Sequence, residues 1–71
     1  MSTTPPTLVD IITRRVADRT GRRVRNLSVE VGVERVILRG LADSFHVKQL
    51  AQAGAREALP GAILENAIVV E

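Results

Sequence analysis

The chain has no cysteine, tryptophan or tyrosine, and only one phenylalanine and one histidine among its 71 residues. Without cysteine there is no disulfide staple and no thiolate ligand for a metal. His46 with scattered carboxylates offers no metal-ligand spacing either. With Phe45 as the sole aromatic residue, the chain has no stacking platform for single-stranded nucleic acid. No tryptophan or phenylalanine flanks its basic residues to enter a bilayer. Apolar runs are only a few residues long, so none is expected to span a membrane. The start, MSTTPPT, is polar and lacks a basic leader region, which makes the cytoplasm the expected compartment.

What is present is aliphatic. Val, Leu, Ile and Ala supply nearly all of a 45% apolar fraction, enough for a globular core and too much for a disordered chain. A single domain of this length buries only about 60% of its unfolded surface. The net charge of +2 hides an asymmetry. Residues 1–25 carry six arginines against Asp10 and Asp18, a balance of +4, and residues 26–71 balance at −2. That is evidence about association rather than fold.

The stretch LSVEVGVERVILRG, residues 27–40, organises the rest. Leu27, Val29 and Val31 alternate with Ser28 and Glu30, the period of a strand with one buried face. Gly32 supplies a position that tolerates a positive φ, and Val33 and Glu34 complete a short connection. The return strand runs from Arg35 to Arg39, with Val36 and Leu38 inward, and Gly40 is expected to end it. Two strands are marginal in water and need cover.

Residues 1–6 read as a disordered lead, closed by Pro5-Pro6, with one domain over residues 7–71. Thr7 and Asp10 have the spacing of a capping box. The stripe Leu8, Ile11, Ile12 and Val16 predicts a helix to about Thr20, stopped by Gly21. A second helix follows Asp43 or Ser44, either of which suits the cap. Its apolar stripe is Val47, Leu50, Ala51, Gly54, Ala55, Ala58 and Leu59. Gly54 is expected to let this helix approach the sheet closely. Pro60-Gly61 ends it, and a third strand runs from Ile63 to Val70. The order is αββαβ, and strands two and three around the helix should be parallel. The expected fold is α+β, with two helices packed on one face of a three-stranded mixed sheet.

Several of these strings resemble the BON domain family (bacterial OsmY and nodulation) across residues 8–70. Val36, Leu38 and Gly40 match its V-x-L-x-G strand end, and Asp43-Ser44 match its polar helix cap. The alanine-rich helix, the Pro60-Gly61 turn and the strand asparagine Asn66 complete the pattern. The resemblance implies a bacterial, non-enzymatic module associated with phospholipid membranes or other ligands, without catalytic residues or cofactor.

Three groups stand out as candidate sites. Arg14, Arg15, Arg19, Arg22, Arg23 and Arg25 read either as a cationic patch for anionic phospholipid headgroups or as a solvated, solubilising face. Peripheral association with anionic phospholipid through this patch is the first expectation, homo-oligomerisation or protein docking is its alternative, and nucleic acid is the minor alternative. The element order invites comparison with KH-type RNA binders, but their GxxG loop is absent. Ile37, Ala67 and Val69 on the outer sheet face read either as ordinary exposed aliphatics or as a surface for homo-oligomerisation or protein docking. A third-strand edge would serve the same end. Asp43, Ser44 and His46 crowd one helix start, which excludes triad geometry and leaves capping. Phe45 is expected to plug the core edge, with ligand contact as its alternative.

Overall fold

A computed structural model describes residues 7–71, and the lead expected over residues 1–6 lies outside them. The elements are α1 (Leu8–Thr20), β1 (Arg25–Val31), β2 (Arg35–Ala42), α2 (Phe45–Ala58) and β3 (Ile63–Val70). Each helix begins where local chemistry says it should. Thr7 and Asp10 exchange side-chain and backbone hydrogen bonds at the head of α1, a complete capping box. Ser44, rather than Asp43, caps α2 by accepting from the Val47 N–H. Gly21 closes α1 in the left-handed conformation.

The sheet order is β1-β2-β3, antiparallel between β1 and β2 and parallel between β2 and β3. Both helices lie on one face. There Ile12 and Val16 of α1 and Val47, Ala51 and Ala55 of α2 form one cluster with Val29, Val36, Leu38, Ala42 and Ile68 of the sheet. The single buried polar residue of the described chain, Thr20, donates its hydroxyl to the Val16 carbonyl at 2.8 Å.

Several sequence expectations need correction. The buried row of α1 is Ile12, Val16 and Thr20, whereas Leu8 and Ile11 are exposed. Leu8 belongs to the same helical row but, as the first residue of α1, borders the cleft beside the hairpin turn with Val31, Val36 and Leu59. Ile11 lies on the row of Arg15 and faces the outer groove between the helices. Leu50 is half-buried and outside the core cluster. Phe45 is 62% exposed and plugs nothing.

Two glycines differ from expectation, and a third, Gly32, leaves its freedom unused. Gly32 does not adopt a positive φ; its N–H closes the turn on the Arg35 carbonyl at 2.7 Å. Gly40 lies inside β2, which continues through Leu41 to Ala42. It stands opposite a bulge, where β1 gains one residue on β2 between Arg25 and Ser28 and Asn26 takes a φ of 55°. A β-carbon on Gly40 would fall 2.7 Å from the Val24 Cγ1 atom and 3.0 Å from the Arg25 carbonyl, so the bulge requires glycine. Gly54 allows a close approach, but to α1 rather than the sheet. A β-carbon there would meet the Arg15 carbonyl oxygen at 3.0 Å and the Val16 Cα at 3.1 Å.

Candidate functional site

The six N-terminal arginines do not converge. Arg15 and Arg19 both reach across from α1 to Glu57 of α2, Arg15 at 3.5 Å, so one carboxylate partly neutralises two guanidinium groups. Arg25 sits at the far end of the sheet against Glu71 at 3.0 Å and Asp43 at 4.0 Å. Arg14, Arg22 and Arg23 are exposed and form no ion pair among the described residues. The loop that carries Arg22 and Arg23 is not an open anion cradle. The N–H groups of Gly21, Arg22 and Arg23 are spent on carbonyls of Asp18, Ala17 and Thr20. The groove of about 560 Å³ beside this cluster is lined by Arg14, Arg15 and Arg19, and equally by Asp10, Asp18 and Glu57.

The outer face of the sheet is a different kind of surface. Its residues follow from strand parity and register. Beside the hairpin turn, Arg35 of β2 pairs with Ile63 of β3. The next row reads Glu30, Ile37, Glu65 across the three strands, and the one after reads Ser28, Arg39, Ala67. Leu41 and Val69 then stand side by side. Val69 is 55% exposed and Ile63 59%, while Ile37 and Leu41 are half-buried by their neighbours. Arg39 holds Glu30 at 3.5 Å within this face.

Ile37, Ala67 and Val69 therefore share the outer face, but they do not form one continuous strip. Ile37 is flanked on both sides by glutamates, and Ala67 and Val69 lie nearer Leu41. Leu41 escaped the sequence reading because the strand was expected to stop at Gly40. The alternation Ile37, Arg39, Leu41 continues unbroken through that glycine and carried the missing signal.

The β3 strand is an edge, but a modified one. The N–H groups of Ile63 and Glu71 bond to Glu34 and Ala42 on the β2 side, so by alternation those of Leu64, Asn66, Ile68 and Val70 point outward. Asn66 occupies one of these four. Its Oδ1 accepts from the Ile68 N–H at 3.2 Å, while its Nδ2 donates to the Lys48 carbonyl at 2.9 Å and reaches Gln52 at 3.4 Å. One amide thus ties β3 to α2 and removes a donor from the middle of the edge, a device that opposes strand addition.

No group of His, Cys, Asp and Glu side chains among the described residues has the geometry of a metal site, and no helix among them is long and apolar enough to cross a membrane. Comparison of the chain with family models, with curated proteins and with solved structures finds no match.

Proposed function

We propose that this domain is a non-enzymatic assembly module that binds a second copy of itself through the outer face of its sheet. The observation that carries the reading is the uncovered face itself. Both helices lie on the opposite side, leaving Ile37, Leu41, Ile63, Ala67 and Val69 in a field of interleaved arginines and glutamates. A domain with so small a core gains by covering such a face, and assemblies of identical chains are mostly symmetric. The face is favoured over the β3 edge because Asn66 already occupies an edge donor.

Val69→Lys tests this. The residue is more than half exposed, so the fold should persist with an unchanged circular dichroism spectrum. Light scattering should show the wild type as a dimer at high micromolar concentration and the variant shifted to monomer. A monomeric wild type, or a variant of unchanged mass, sinks the reading.

A second reading has its own observation: Arg14, Arg22 and Arg23, exposed and without ion pairs among the described residues. Each such residue near an anionic leaflet contributes about 1 kcal/mol before screening, enough for weak peripheral contact. The resemblance to BON domains points the same way. Sedimentation with anionic vesicles at low salt, lost on adding salt or on joint replacement Arg22→Glu and Arg23→Glu, is the expected result. Equal binding to neutral vesicles, or none to either, removes it.

A further inference from the structure

The charge pattern of the outer sheet face selects one way for two copies to stack, and the inference rests on the self-assembly reading above. Arg35 and Arg39 occupy the central strand, and Glu30 and Glu65 occupy the flanking strands, in the row between them. Two face-to-face arrangements keep two-fold symmetry and aligned strands. If the axis ran along the strands, each row would lie on itself. Arg35 would meet Arg35, Arg39 would meet Arg39, and Glu30 would meet Glu65, like on like at every charged position. An axis across the strands, passing between the Ile37 row and the Arg39 row, exchanges those two rows instead. Arg39 of one copy then lies over Ile37 of the other, flanked by that copy's Glu30 and Glu65. Leu41 lies over the stem of Arg35, and Val69 meets Ile63.

The geometry points to a dimer of this second kind: two copies stack their sheets with strands antiparallel across the interface, each Arg39 seated between Glu30 and Glu65 of the other copy. The occupant of the face is a second copy rather than an unrelated protein because the complementarity is internal to one chain. The row that offers two carboxylates lies next to the row that offers the guanidinium, about 6.6 Å along the strands. Within one copy Arg39 already leans on Glu30 at 3.5 Å with both side chains 56% exposed, so its remaining donors face outward. Glu65 has no ion pair among the described residues and has donors to gain. Like-charge contact disfavours the competing arrangement, so the pattern specifies register as well as affinity.

A charge-swap mixture tests the register. Arg39→Glu places a carboxylate between Glu30 and Glu65 of the other copy and should weaken self-association at least about tenfold. The double variant Glu30→Arg with Glu65→Arg sets three arginines together and should weaken it similarly. Mixed in equal amounts, the two form a heterodimer in which both charge contacts have opposite signs. Light scattering should therefore show monomers from each variant alone and a dimer from the mixture. All three positions are exposed, and circular dichroism of each variant confirms folding before mixing. Should Arg39→Glu prove unfolded, Arg39→Gln with the double variant serves, with a smaller rescue expected. If Val69→Lys disrupts the wild-type dimer but Arg39→Glu alone dimerises as the wild type does, as an axis along the strands requires, or the mixture stays monomeric, the register is wrong while assembly through the face stands. A wild type that is monomeric throughout overturns both.

Discussion

Ala51→Asp is expected to abolish the folded state. Ala51 is fully buried in the middle of α2, in one cluster with Ile12, Val16, Leu38 and Ile68. The cluster contains only aliphatic side chains, so an introduced carboxylate finds no partner and must be buried charged or protonated, at a cost of several kcal/mol either way. A 71-residue domain holds roughly 4–10 kcal/mol in total. Far-ultraviolet circular dichroism should show the loss of helix and sheet signal, and heating should show no cooperative transition. The adjacent Leu50→Asp makes the control. Leu50 also sits on the apolar stripe, but it is half-buried at the rim and its new carboxylate can turn to water. Its melting point should fall much less. A sharp melt for Ala51→Asp near that of the parent would show that this face of α2 does not meet the sheet.

Gly54→Leu carries the second large effect, for a different reason. The fault is not charge but space. At Gly54 the backbones of α1 and α2 approach so closely that even a single added carbon meets the Arg15 carbonyl at 3.0 Å. Those neighbouring atoms are main chain and cannot swing aside. A leucine there must force the helices apart, which also strips cover from Ile12, Val16 and Ala55. The expected loss is about 3 kcal/mol, the upper end for overpacking a core. For a domain of this size that lowers the melting temperature by roughly 12–24 °C. Gly54→Ala separates the two contributions. Alanine recovers about 1 kcal/mol of helix propensity while introducing only the first clash, so it should fall between parent and leucine variant or match the parent. Thermal melts of the three proteins, ranked, check the idea. If the leucine variant melts with the parent, the close crossing is absent.

The legibility of this chain in its sequence follows the range of the forces involved. Thr7 with Asp10, Gly21, Ser44 and Pro60-Gly61 mark element ends through contacts a few residues long, and the ends fall where that chemistry puts them. The alternation around Val29, Val36 and Leu38 identifies the buried sheet face for the same reason. The candidate site was less legible. Whether six neighbouring arginines make a patch depends on Glu57 and Glu71, which are remote in sequence and adjacent only after folding. Whether Ile37, Ala67 and Val69 make a strip depends on register, and the register places glutamates on both sides of Ile37.

By itself, then, the sequence determined the element order, the caps and the inward faces of the strands, because propensity, capping and period are local properties of the backbone. Which helix row is buried, why Gly40 and Gly54 must be glycine, and how the charges of the outer face are arranged were decided only by the tertiary structure. Each depends on the distance between segments that the chain brings together from far apart. A bulge opposite Gly40, a helix crossing at Gly54 and the alignment of Arg39 beside Ala67 have no counterpart in any short window of residues.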